Sequence, residues 1–170
     1  MPRPTRRFLL ALTVASLAAL AAVPAAAPAR TASRCTVPML LGKLRRPSAG
    51  AGQRYARLLL TNVTRRTCSL GGFIGAQLLD ARNDSLPTRV VRDTRRRART
   101  VTLAPGQSAT TVLHWGAVAG TGDRQTGTCQ PAPARIEITP PNATRHLVLP
   151  WRNGPVCQRG RIVVTPLVHA

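Results

Sequence analysis

The densest reactive cluster in this chain is cationic. Arg89, Arg92, Arg95, Arg96, Arg97 and Arg99 fall in one short stretch, opposed there only by Asp93. A planar guanidinium forks onto phosphate and carboxylate oxygens. The chemistry on offer is therefore oxyanion binding, with Arg92, Arg95, Arg96, Arg97 and Arg99 as the candidate contacts. The bland alternative is a solvated loop whose charge keeps sheet edges from pairing. No aromatic residue is interleaved with these arginines as in single-strand binders, so no specific nucleic acid is expected.

Other chemistry is sparse. His114, His146 and His169 share no metal-ligand spacing, and each reads as a surface side chain. The acids are Asp80, Asp84, Asp93, Asp123 and Glu137. Four of them lie in or beside turn residues, where aspartate has an ordinary structural role. Ser108 follows Pro105-Gly106-Gln107, a turn and not a nucleophile elbow. No glycine-rich phosphate loop is present. The expectation is a protein that is not an enzyme, with no catalytic residue, cofactor or metal. An extracellular hydrolase or enzyme inhibitor with a scattered site is the alternative.

The four cysteines suit an exported protein with two disulfides, for which three connectivities exist. A strand-connecting turn at Gly50-Ala51-Gly52 would face Cys35 with Cys68. It would also put Val37, Met39 and Leu41 on the face of Ala56, Leu58 and Leu60. A turn at Asn142-Ala143 would face Cys129 with Cys157, although it places Ile138 opposite Val148, against the local alternation unless a bulge intervenes. The expected bridges are Cys35–Cys68 and Cys129–Cys157. There is no C-x-x-C and no nearby histidine pair to make zinc a competitor.

Length and composition bound the rest. The chain has 170 residues, net charge +20, 44% hydrophobic residues and only 3% aromatics, so it can build a core but not an aromatic-lined platform. Lys43 is the only lysine, an arginine bias that genome composition alone can produce. Arg3, Arg6 and Arg7 precede an apolar run from Phe8 to Val23, and Ala27 and Ala29 are small. This reads as a signal peptide over residues 1–29, cut after Ala29. Residues 30–170 would then be a single domain with no membrane span. Cys35 lacks a lipobox, so the product is expected to be secreted and unanchored.

In that domain the hydrophobic period is two. Ala56, Leu58 and Leu60 alternate with Arg57, Leu59 and Thr61. The segments around Ala109–Trp115, Ala134–Thr139 and Arg161–Thr165 behave alike. Segments 36–44, 70–80 and 144–151 fit more loosely. Turn residues separate them at Gly50-Ala51-Gly52, Arg82-Asn83-Asp84, Pro105-Gly106, Gly120–Asp123 and Pro140-Pro141-Asn142. The spacing predicts about 7–9 short strands in an antiparallel β-sandwich. Val91 to Leu103 reads as one extended connection. Asn62, Asn83 and Asn142 begin glycosylation-type tripeptides but read as turn or strand-end residues.

The order of Leu60-Thr61-Asn62, Cys68-Ser69-Leu70-Gly71-Gly72-Phe73-Ile74-Gly75, Leu103-Ala104-Pro105-Gly106-Gln107, Leu149-Pro150-Trp151, Val156-Cys157 and Thr165-Pro166-Leu167 resembles a family of secreted actinobacterial proteins. That family is described only as a domain of unknown function, numbered four-two-three-two. The resemblance runs from Cys35 to about Val168. It implies an immunoglobulin-like sandwich and export, often as a lipoprotein, with no established activity or site residues. This chain departs from the pattern in lacking the lipobox and tether, in Ile74 where proline is common, and in its very basic Arg92–Arg99 stretch. The function expected is non-enzymatic binding or structural work at or outside the cell envelope. The partner would be an anionic envelope polymer or another envelope protein.

Overall fold

A computed structural model describes residues 32–170 of the protein. The expected leader, 1–29, lies outside the described residues. In chain order the strands are β1 (Ser33–Arg34), β2 (Leu40–Leu44), β3 (Ser48–Gly50), β4 (Gln53–Asn62), β5 (Cys68–Gly71), β6 (Gly75–Leu79) and β7 (Arg89–Arg92). There follow β8 (Thr100–Leu103), β9 (Ser108–Gly116), β10 (Arg135–Thr139), β11 (Leu147–Pro150), β12 (Arg161–Val164) and β13 (Val168–His169). A 3-10 turn covers Val37–Met39.

The strands make an all-β sandwich. One layer is a seven-stranded sheet in the order β2-β4-β9-β12-β7, with β3 added to β4 and β13 to β9. The opposing side consists of two three-stranded sheets, β11-β10-β6 and β1-β5-β8. The strands outnumber the seven to nine expected: β1, β3 and β13 are two- and three-residue additions to longer strands, β7 and β8 take up parts of the expected connection, and the expected 70–80 segment divides between β5 and β6. Two pairings are parallel, β1 with β5 and β7 with β12, and the others are antiparallel.

Alternation chose the inward faces. Ala56, Leu58 and Leu60 of β4, Ala109, Leu113 and Trp115 of β9, and Ile162 and Val164 of β12 are buried. They meet Ile136 and Ile138 of β10, Leu78 of β6, and Leu70 and Leu103 of β5 and β8 in one core cluster. Each leucine, isoleucine and valine among them contributes about 1.5–3 kcal/mol on burial. Trp115 and Trp151 pack in that core with ring centroids 4.8 Å apart.

Both disulfides are formed as expected, but the geometry behind the first differs. Cys35 does not lie across a continued β2–β4 hairpin from Cys68. β4 ends at Asn62, the chain crosses to the other layer, and β1 runs parallel to β5 with Ser33 beside Cys68. The expected β2 face is also displaced by one residue. Ser48 faces Tyr55, as a turn between Ala51 and Gly52 requires, but Leu44 faces Leu58. One extra residue is absorbed at Arg45–Pro47, where Pro47 has no N–H for the ladder. The slip turns Leu40 inward and leaves Leu41 59% exposed. The β10–β11 register is one residue off the expected one. Ile136 therefore faces Leu149 and Ile138 faces Leu147, which removes the conflict with the alternation. Cys129–Cys157 closes beyond the hairpin ends.

Asn62 is fully buried and ties three segments together. Its Nδ2 donates to the carbonyls of Arg66 (2.7 Å) and Leu103 (3.0 Å). Its Oδ1 accepts from the Thr64 N–H (3.0 Å) and hydroxyl (2.8 Å). Asn83 and Asn142 have φ of 71° and 58° and sit in turns, as expected. Asn62→Ala strands a buried carbonyl and an amide, and should lower stability by about 2–3 kcal/mol in urea unfolding with an unchanged slope.

Candidate functional site

The outward-pointing residues of the seven-stranded sheet are as regular as the inward ones. Arg57 lies between buried Ala56 and Leu58, and Arg161 precedes buried Ile162. Arg89 is the direct neighbour of Arg161 across the parallel β7–β12 pair. Between Arg57 and Arg161 on the same face, Tyr55 and His114 stack at 4.4 Å with rings 5° from parallel. The His114 Nε2 sits 2.8 Å from the Gln53 Oε1. Partial burial, then the positive charges of Arg161 and Arg95, push the His114 imidazole below its ordinary pKa, while Asp93 opposes this.

The arginine cluster is divided, not gathered. The connection expected from Val91 to Leu103 shrinks to residues 93–99, because Val90 and Val91 pair in β7 and Thr100–Leu103 in β8. Asp93 organises its start. The Arg95 Nε and Nη2 donate to the two carboxylate oxygens at 2.9 and 2.7 Å, and the Arg95 N–H donates to Oδ1 at 3.2 Å. Those hydrogen bonds hold the Asp93 carboxyl at about 2. Arg95 and Arg96 overhang a groove of about 670 Å³ on the outer sheet face, with Arg57, Thr110, Thr165 and Val168 in its walls. Ala170 lines its far end. Arg99 instead lines a hollow of about 400 Å³ with Arg34, against β5. Arg92 caps the Phe73 ring at 5.7 Å, a cation–π contact. Arg97 is exposed and lines neither depression. Of the five predicted anion contacts, only Arg95 and Arg96 share a site, and Arg95 is already paired.

A second basic hollow, about 730 Å³, is lined by Arg89, Arg159 and Arg161 with Thr121 and Gln158. Sequence reasoning missed Arg57, Arg159 and Arg161 because none belongs to the dense cluster. The signal for Arg57 and Arg161 was their outward place in the alternation, but only strand order brings them to one face.

The acids are structural, and one is central. Asp80 accepts from the Arg82 and Asp84 N–H groups at 2.8 Å in a turn. Asp123 lies in the long β9–β10 connection and takes four donors. They are the N–H groups of Gly120 (2.9 Å), Gln158 (2.6 Å) and Arg159 (3.1 Å), and the Gln130 Nε2 (2.8 Å). Partial burial opposes its ionisation, but the Gln130 amide and the three backbone donors prevail and lower its pKa. Asp123 comes close to Cys129 and Cys157, whose sulfurs are bonded to each other and offer no metal ligand. The histidines do not converge with one another: His146 pairs with Glu137 at 3.1 Å and His169 lines the groove.

This geometry defines a disulfide-stapled β-sandwich with one basic sheet face. Residues 35–168 match the domain of unknown function DUF4232, and the chain belongs to that family. No curated protein and no solved structure matches the chain. Among the described residues no helix is long and apolar enough to cross a membrane.

Because its folded-state pKa is lowered, Asp123 contributes stability in full above its ordinary value of 3.8 and loses it as pH falls toward the folded value. Asp123→Asn should lower stability at neutral pH by about 1–3 kcal/mol. It should also flatten the acid limb of a pH series of urea unfolding curves.

Proposed function

We propose that the protein is an exported, non-enzymatic binding domain that holds an anionic polymer of the cell envelope on its basic sheet face. The single observation behind this is the groove under Arg96. There Arg57 and Arg96 line one space, and the one side-chain carboxylate lining it, that of Asp93, is taken up by Arg95. Oxyanions fit such a space because a guanidinium offers a fixed fork of donors. Two disulfides suit an oxidising compartment and support export. Arginine in place of lysine supports an actinobacterial origin, and the two-layer strand arrangement supports an immunoglobulin-like reading of the sandwich.

The acids and histidines give an enzyme little to work with. Asp93 and Asp123 are committed to donors and Glu137 to His146. Both tryptophans are buried, so an exposed aromatic patch for a protein partner does not stand on them.

Retention on heparin or a teichoic-type polymer measured across a salt series tests this reading. The combined substitution R57Q/R96Q should lower the salt slope by about 1–2, near one for each phosphate contact removed. R97Q, which lines no depression, should change it far less. Equal effects from both would reduce the binding to net charge and overturn the groove as a site.

A further inference from the structure

The hollow formed by Arg89, Arg159 and Arg161 has no part in the arginine-rich connection. We propose that it is a second oxyanion site. With the groove it would make the outer sheet face a two-point receptor for an extended polymer of phosphate groups and not for one compact anion. The polymer assignment rests on the groove reading above; the hollow itself does not.

Arg89 and Arg161 stand directly opposite one another across β7 and β12. Like charges in that position destabilise a sheet. Among the described residues the carboxylates within salt-bridge reach of a basic side chain are Asp93, beside Arg95, and Glu137, beside His146, so no carboxylate relieves Arg89 and Arg161. The nearby acid, Asp123, spends its oxygens on backbone and amide donors. An oxyanion placed between the two guanidinium groups would convert a repulsion into two attractions.

The backbone of the third arginine is held in place before any ligand arrives. Gln158 and Arg159 both have left-handed backbone, φ 58° and 55°, followed by Gly160 at 71°. Such a run costs free energy and persists only where the surroundings impose it. Here Cys157 is bonded to Cys129, and Asp123 receives the N–H groups of Gln158 and Arg159. A Cβ on Gly160 would run into the Pro87 carbonyl oxygen. The Arg159 guanidinium then lies against Gly122, where a Cβ would come within 2.8 Å of its Nη2. Fixing the backbone that carries a binding side chain removes part of the entropy cost of binding.

The two sites share one surface. Arg57 in β4 and Arg161 in β12 are two strands apart and four residues apart in register, which places them about 16 Å from each other. The Tyr55–His114 stack occupies the ground between them. A chain of phosphates spans that backbone separation more readily than a single phosphate, and joining two weak contacts on one ligand multiplies their strength.

Calorimetry with the protein against tripolyphosphate, long-chain polyphosphate and phosphatidylglycerol vesicles tests this. The wild type should bind the long chain at least about tenfold more tightly than tripolyphosphate. R89Q/R161Q should abolish most of that gain and reduce the upward shift in melting temperature that polyphosphate produces. Without ligand this variant should melt no lower than wild type, because a repulsive pair has been removed. The His114 ring, followed by NMR, should titrate at higher pH with long-chain polyphosphate bound. If R89Q/R161Q leaves long-chain affinity and its salt slope unchanged, the hollow is not a site. If R57Q/R96Q has no effect while R89Q/R161Q does, the groove reading fails and the hollow stands alone. Tight binding to vesicles with none to polyphosphate would overturn the polymer assignment.

Discussion

Each long strand of the seven-stranded sheet buries one face only, and most of what this protein does follows from that restriction. A side-chain period of two leaves no freedom: once Leu58 and Leu60 point inward, Arg57 must point outward. The same holds for Arg161 beside Ile162 and for His114 between Leu113 and Trp115. Core and basic face are thus two readings of one alternation. A register slip would drive arginines into the interior, where an unpaired charge is prohibitively costly, so the charge on one face helps enforce the packing on the other.

Where alternation gives no instruction, polar hubs and cross-links take over. The connection from β9 to β10 is long and has no strand of its own. It is shaped by Asp123 and anchored by Cys129–Cys157. At the other end of the sandwich, Asn62 and Cys35–Cys68 join β4, β5 and β8. Disulfide closure removes conformational freedom from the unfolded chain, by about 3–4 kcal/mol for loops of this size. That matters for a chain of net charge +20, whose self-repulsion opposes the compact state.

Membership of a family of unknown function assigns no chemistry, and a sandwich carries many unrelated activities, so function has to be argued from the site. The useful distinction is between charge that is answered and charge that is not. Arg95 is answered by Asp93, and Arg92 lies over an aromatic ring. Arg57, Arg89, Arg96, Arg159 and Arg161 have no carboxylate partner among the described residues, and they line the two depressions of the outer face. Local density along the chain was therefore a poor guide to where charge collects in space.

The sequence by itself determined the all-β class and the inward residues of β4, β9, β10 and β12, and it named the two disulfide pairs, though through hairpin registers the fold does not adopt. These depend on period-two burial, on turn chemistry and on there being few cysteines to pair. It also placed asparagines and aspartates correctly in turns. Tertiary structure alone decided the one-residue displacement of β2, the parallel pairing of β1 with β5 and β7 with β12, and the partition of the arginines. Those outcomes depend on which strands lie side by side. Strand order is set by contacts between residues far apart in the chain, and no local pattern of side chains records it.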